Sequence, residues 1–517
     1  MAEGSAPGRI GHMSAAQHPQ TGRRRNGLAL LAAGVSLALY AATAAPWLTW
    51  AHDGADGGDL IAAAMTGGVP HPSGYPLYSL LGRLFAQLPL GSIAFRFNLF
   101  SAVAAAVSVA LVFLLVCNLL GTQQDGLPVE PIALGAALVW AAGPTLWSQA
   151  IIAEVYALHA LFVALIIYLA SRTEALERPR AWLGLGLATG LGLSNHLTLT
   201  LVLPGVALWL LPMARPRRLG AALGGLALGL LVYLYIPLAA RGDPPVSWGD
   251  ARNWAGFWWL VSGQPYRVYL FALPLPELPR RLAVWAGLWR EQLTLLGVGL
   301  ALVGLETRRR YMPRGWPLAG LLIVVLTSAY AIGYNTVDSY VYLLPAYLVG
   351  VTWLAQGALA VREWFVSRTS VPGAAASLMP LFLALWLVGA NYSDLDLRRD
   401  NEVAIWATSV QQEALPGAIL ISGDDGHTFA LDYIQWVEGE RTELVVVDAE
   451  LLPYAWYQRQ LVKRYPDLAD VRFAEAGSLI IERLEERPIY LTTYREELEE
   501  AWVLEQQGVL WRVMRNR

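Results

Sequence analysis

The sequence predicts an α-helical polytopic membrane protein with a small α/β soluble domain at its C-terminal end. Three observations predict it. Of 517 residues, 56% are hydrophobic and only 15% are charged; ordinary soluble domains carry about 25% charge. The apolar residues gather in repeated runs of roughly 20, enough to cross a hydrocarbon core of about 30 Å. Beyond residue 393 charge rises and the apolar runs shorten to strand length.

Residues 1–26 are polar and end in Arg23-Arg24-Arg25. They read as a disordered cytoplasmic tail, because arginines accumulate on the cytoplasmic side of a span. Residues 27–50 form the first span, with Trp47 and Trp50 suited to interfacial anchoring. A cleaved signal peptide is the alternative, since Ala42-Thr43-Ala44 resembles a cleavage site. Later spans fall near 95–120, 131–150, 153–171, 181–195, 197–211, 219–239, 289–306, 316–334, 340–361 and 376–392. The expectation is a bundle of about eleven helices.

Alternate connections are arginine-rich: Arg172, Arg178 and Arg180; Arg215, Arg217 and Arg218; Arg308, Arg309, Arg310 and Arg314; Arg362 and Arg368. That alternation fits an odd number of spans with the N-terminus inside. Asn195-His196 interrupts 181–211, which reads as two short spans rather than one kinked span. The membrane domain is then 27–392, and the loops 51–94 and 240–288 share the outer face with the domain 393–517. In a bacterial inner membrane this outer face is periplasmic.

Within the first loop, Leu77, Leu80, Leu81, Leu84, Phe85 and Leu88 recur at helical spacing, with Ser79, Arg83 and Gln87 opposite. This is the pattern of a helix lying on a membrane surface. In the C-terminal domain the apolar runs 418–422, 444–448 and 488–492 alternate with helical patterns near 426–438 and 454–465. Strand–helix–strand alternation predicts a parallel sheet.

Composition also excludes functions. Cys117 is the only cysteine, so there is no intramolecular disulfide and no cysteine metal cluster. Lys463 is the only lysine, which rules out a Walker A loop or a Schiff-base lysine in the membrane region. The net charge is −3 with no long basic tract, so nucleic acid is not an expected partner.

Titratable chemistry concentrates in residues 53–76, directly after the first span. Asp56 and Asp59 are one helical turn apart. Carboxylates at a membrane boundary are costly unless they face water, a partner or a substrate. Inverting glycosyl transfer to a hydroxyl needs such a group, as the base that takes the acceptor proton. Asp56 is the candidate base, with Asp59 assisting it or holding a divalent cation. A solvated loop whose aspartates cap the following helix is the alternative.

His71-Pro72-Ser73-Gly74-Tyr75-Pro76 is a stiff turn that could bring His71 or Tyr75 to a phosphate or sugar. Glu154 and Tyr156, and Asn195 and His196, fall at outward span ends beside the same face. Each could meet a sugar hydroxyl, and each could equally be a helix cap or an interhelical hydrogen bond. Arg241, Arg252 and Arg267 of the tryptophan-rich second loop are candidate clamps for a lipid-linked phosphate. Snorkelling at the interface is their alternative. Asp338 is a further outer acid of unassigned role. Gly423-Asp424-Asp425-Gly426-His427 follows a strand, where α/β ligands commonly bind, though a turn with a helix cap explains it as well.

Asp56-Gly-Gly-Asp59-Leu-Ile-Ala-Ala-Ala, followed by His71-Pro-Ser-Gly-Tyr-Pro-Leu, resembles a family signature. That signature is Asp-x-Gly-Glu, an apolar residue, Ile-Ala-Ala, and then His-Pro-Pro-Gly-Tyr-Pro-Leu. It belongs to a bacterial membrane family that also contains an animal transmembrane protein O-mannosyltransferase acting on plexin-type immunoglobulin-like domains. Ile152-Ala-Glu154-Val-Tyr156, Leu193-Ser-Asn195-His196, Arg241-Gly-Asp-Pro-Pro with Trp248-Gly-Asp250, and Gly423-Asp424 extend the match. Asp59 stands where the family usually has glutamate, and Ser73 where it usually has proline.

The resemblance implies a GT-C fold with the acid in the first outer loop. It also implies a donor sugar on a polyprenyl phosphate. The function expected is an inverting glycosyltransferase acting on a periplasmic protein or glycan hydroxyl. A transporter or lipid flippase is the rival, and would place charges at mid-bilayer rather than at one surface. A non-catalytic scaffold would leave the first-loop acids without a role.

Overall fold

The computed structural model describes residues 19–121, 128–307, 313, 315–368, 372–471 and 476–516. Its first half runs α1 (Pro19–Thr43), α2 (Gly57–Thr66), α3 (Pro76–Phe85), α4 (Ile93–Leu120), α5 (Glu130–Ala142), α6 (Pro144–Ala150) and α7 (Tyr156–Ser171). It continues through α8 (Pro179–Leu193), α9 (Leu203–Leu210), α10 (Pro216–Leu230), α11 (Tyr235–Arg241), α12 (Trp254–Val261) and α13 (Leu278–Glu306). Long helices follow at Trp316–Gly333 and Leu344–Arg368, and a shorter one at Met379–Asn391.

Every span picked out in the sequence is helical over most of its length. Among the described residues, seven helices are long and apolar enough to cross a membrane. The pair α5 and α6, bent by 63°, makes an eighth span if counted as one. Helices 156–171 and 197–213 are apolar but shorter. The 181–211 stretch is indeed two helical pieces, broken at Ser194–His196. α8 and α10 press their backbones together through Gly186 and Gly190 on one helix and Gly225 and Gly229 on the other. A Cβ at any of the four would meet backbone of the other helix. Without a hydrophobic drive between helices in lipid, such close approach is what holds a pair.

Three expectations are corrected. Residues 19–26 of the expected disordered tail are the opening turns of α1, where Arg25 Nε meets Glu130 Oε1 at 2.8 Å; residues 1–18 lie outside the described residues, as do Arg308, Arg309, Arg310 and Arg314. Trp47 and Trp50 do not serve simply as interfacial anchors: their indole N–H groups donate to Glu438 Oε1 (2.8 Å) and the Gly426 carbonyl (3.3 Å). In α3 the Leu80 and Leu84 side chains point outward, as a surface helix requires, but Ser79, expected on the polar face, is buried with Tyr78. The protein-facing side of α3 is narrow because Gly82 lies against Phe97.

The C-terminal domain carries a five-stranded sheet in the order β2-β1-β3-β5-β4. The strands β1 (Ile419–Ser422), β2 (Val445–Asp448) and β3 (Ile489–Leu491) are the apolar runs of the sequence and pair in parallel. β4 (Trp502–Gln507) and β5 (Leu510–Arg515) add an antiparallel hairpin. Alternation divides the strands between two cores. Ile419, Ile421, Val445, Val447, Ile489 and Leu491 pack into the domain's own core. Leu420, Val446 and Tyr490 face the core that runs on into the membrane bundle. The sheet therefore holds the Asp425–Tyr433 helix against α2.

Candidate functional site

The turn between α2 and α3 folds back so that His71 reaches α2. Asp59 is fully buried. Its Oδ2 accepts from the His71 backbone N–H (2.8 Å) and lies 2.7 Å from His71 Nδ1. Its Oδ1 accepts from Trp248 Nε1 at 3.1 Å. The other imidazole nitrogen, Nε2, stands 3.2 Å from Asp56 Oδ2. The result is an Asp56–His71–Asp59 chain whose inner end is sealed and whose outer end is open, the Asp56 side chain being 39% exposed. Burial alone would depress the His71 imidazole. The Asp56 carboxylate, and then Asp59, outweigh it and hold His71 well above its ordinary range. As an imidazolium it donates to both carboxylates.

Local backbone explains the placement. His52, Asp53 and Tyr75 adopt left-handed conformations (φ 58°, 60° and 35°) at the bends that enter the turn before α2 and start α3. Non-glycine residues hold such angles where the surroundings over-determine them. The second loop is zipped to the first: Val69 N–H donates to the Val246 carbonyl (3.0 Å) and Trp248 N–H to the Val69 carbonyl (3.0 Å). The C-terminal domain closes the third side. Phe429 stacks on His71 with ring centroids 6.1 Å apart and planes 14° apart. Gly58 of α2 lies directly on the Phe429 backbone, where a Cβ would collide.

Asp425, at the start of the same helix, lies within electrostatic reach of Asp56. Burial, and next the Asp56 charge, push its carboxyl up to about 7. Asp424 caps that helix by accepting from His427 N–H at 2.9 Å. The turn with a helix cap expected for the 423–427 stretch is observed at Asp424.

A second polar group borders the first. Tyr75 stacks on His196 (5.9 Å), which also lies against Tyr156 (5.3 Å) and His159 (5.5 Å). Asn195 Nδ2 donates to the Val155 carbonyl at 3.1 Å. Glu154 is buried, and only one of its oxygens is used, accepting from Val155 N–H at 3.2 Å. Glu154 Oε1, Asn195 Oδ1 and both His159 ring nitrogens are buried without a hydrogen-bond partner among the described residues. Unmet buried polar atoms are rare in native proteins and call for an explanation.

The structure thus brings Asp56, Asp59, His71, Tyr75, Glu154, Tyr156, Asn195 and His196 into one region. Arg241 and Arg267 are exposed and have no ion-pair partner among the described residues. Arg252 is not a free clamp, being bound to Asp243 (3.2 Å) and Asp250 (2.6 Å). Asp59, expected to assist Asp56 or hold a cation, has both oxygens engaged, Oδ2 by His71 and Oδ1 by Trp248. Among the described residues no three His, Cys, Asp or Glu side chains are arranged to hold a metal ion.

Sequence reasoning missed Trp248 as a partner of Asp59, Phe429 as a platform for His71, and Tyr266, which lies within electrostatic reach of Asp56. The one signal was the Gly-Asp-Asp-Gly turn after β1.

Comparison with known proteins agrees with these motifs. Residues 56–218 match the model of the protein O-mannosyl-transferase TMEM260 N-terminal domain. Residues 405–475 match TMEM260-associated domain 2. The protein O-mannosyl-transferase TMEM260 of Mus musculus is 27% identical over 474 residues, 83% of this chain and 65% of that protein. That of Dictyostelium discoideum is 22% identical over 463 residues, 78% of this chain and 55% of that protein. The chain therefore spans less than two thirds of the length of these curated relatives. The crystal structure of ArnT from Cupriavidus metallidurans bound to undecaprenyl phosphate superposes with a TM-score of 0.54 at 14% identity, covering 94% of this chain and 98% of that one. The fold is the GT-C fold of a multi-pass membrane protein.

Proposed function

We infer that this relative of the TMEM260 protein O-mannosyl-transferases, built on the GT-C fold, is an inverting glycosyltransferase that uses a polyprenyl-phosphate sugar. The observation that carries the reading is Asp56: a carboxylate whose side chain is 39% exposed, gripped from behind by a buried His71–Asp59 pair. The names of the relatives and the lipid phosphate bound by ArnT support the donor class.

In this reading Asp56 takes the proton of an acceptor hydroxyl as its oxygen attacks the anomeric carbon. The bond from that carbon to the phosphate oxygen breaks, and the polyprenyl phosphate leaves with the electron pair. His71 donates to Asp56 Oδ2, which holds the carboxylate in place with Oδ1 turned to the acceptor. Tyr75, Glu154, Tyr156, Asn195 and His196 receive the donor sugar, whose hydroxyls would satisfy the unpartnered Glu154 Oε1 and Asn195 Oδ1. Arg241 and Arg267, without an ion-pair partner among the described residues, engage the phosphate from the second loop. No step is assigned to a divalent cation. The acceptor is a protein or glycan hydroxyl on the extracytoplasmic face, with α1 entering from the cytoplasm.

The test is a transfer assay with the full chain in nanodiscs, given polyprenyl-phosphate mannose and an extracytoplasmic protein extract. Asp56→Asn should lower transfer by about 10²–10⁴-fold, the usual weight of a general base. Wild-type transfer by a normally folded Asp56→Asn protein would refute the assignment.

A further inference from the structure

A cleft of about 390 Å³ lies between the second loop and the Ala455–Arg464 helix of the C-terminal domain. Its charged lining is unequal: Arg252, Arg459, Lys463 and Arg464 face only Asp243 and Asp250. The two carboxylates are each held twice, Asp243 by Arg252 (3.2 Å) and Lys463 (2.5 Å), Asp250 by Arg252 (2.6 Å) and Arg459 (2.9 Å). Arg464 lies over the Trp436 ring at 4.9 Å and donates to the Pro245 carbonyl. Asp432, behind Trp436, is pushed up to about 7 by burial and cancels less than a full charge at neutrality. The cleft is therefore cationic. Lys463 and Arg459 keep 63% and 58% of their side chains exposed. Trp456 Nε1, in its wall, is a buried donor without a partner.

Its position matters as much as its charge. Ser247 lines the cleft, and its neighbour Trp248 packs on Trp456 at 5.7 Å while donating to Asp59. Whatever occupies the cleft lies one tryptophan away from the Asp56–His71–Asp59 chain.

We propose that this cleft binds an acidic polypeptide segment flanking the acceptor hydroxyl, with Arg459 and Lys463 pairing its carboxylates and Trp456 donating to one of them. The proposal rests on the transferase reading for what the segment is, but binding itself needs no turnover. Charge complementarity of this kind selects a partner by its sign.

The probe is a fluorescein-labelled Thr peptide flanked by Asp and Glu, with Ser/Gly-flanked and Lys-flanked counterparts. Binding to the full chain in zwitterionic nanodiscs is read by anisotropy. The acidic peptide should bind about tenfold tighter than the neutral one and lose that margin at high salt. Arg459→Glu with Lys463→Glu should abolish the preference. Asp243→Asn with Asp250→Asn cuts the same ion pairs but leaves more positive charge, so it should tighten binding. Equal affinity for all three peptides would overturn the proposal. So would weaker binding in the Asp243→Asn/Asp250→Asn protein, which would make the ion pairs mere staples, or a margin that appears only with anionic lipid. None of these results bears on the Asp56→Asn transfer assay.

Discussion

Asp59 and Asp56 are three residues apart in sequence and opposite in circumstance. Asp59 is sealed and fully hydrogen-bonded, while Asp56 meets solvent. Removing one partner of a buried charged pair costs about 3–5 kcal/mol, so Asp59→Asn should depress thermal stability more than Asp56→Asn does. Scanning fluorimetry of both variants checks the order. The His71 imidazole has its folded-state pKa raised. Its contribution to stability is therefore complete below the ordinary histidine value of about 6.5 and lost as pH rises through the higher folded value. Wild-type protein should lose stability across that alkaline window, and His71→Gln should not; unfolding temperatures from pH 6 upward would show it. The sequence made the two aspartates and the histidine conspicuous. It could not show which aspartate is spent on structure, because that depends on a turn that returns His71 to α2 and on Trp248, 189 residues further along.

At the scale of elements, α2 is wedged. Gly58 meets the Phe429 backbone, so a branched side chain must separate α2 from the Asp425–Tyr433 helix. Gly58→Val should abolish transfer while the membrane helices still assemble. Transfer assays paired with size-exclusion of the nanodisc-embedded protein separate the two effects, and a Gly58→Val protein with wild-type transfer would contradict this packing. Membrane helices were legible because lipid demands long apolar runs with satisfied backbones. The parallel strands were legible as short β-branched runs. The β4–β5 hairpin was not, since Glu505, Gln506 and Gln507 break any apolar alternation. The polar content of α3 misled for a related reason: a helix beside lipid can turn its leucines outward and bury its serine.

For the whole molecule, the site is assembled from the first loop, the second loop and the C-terminal domain; the sequence marked candidate residues on all three but could not show that Trp248 and Phe429 close on His71 and Asp59. Asp425 belongs to this scale. Its carboxyl is raised to about 7 in the folded protein, so ionising it costs stability that is absent below the ordinary aspartate range and complete above pH 7. Asp425→Asn should therefore raise the unfolding temperature at pH 8 and leave it unchanged near pH 4. Equal shifts at both would show that burial and Asp56 do not hold Asp425 above its ordinary range.

The contact between Gly58 and Phe429 has a consequence for turnover. A cap bolted backbone-to-backbone onto the reacting loop cannot swing aside each cycle without dismantling the machinery beneath it. Reactants must come and go around its edges. In the proposed reaction the polyprenyl phosphate would leave sideways, between helices, into the bilayer.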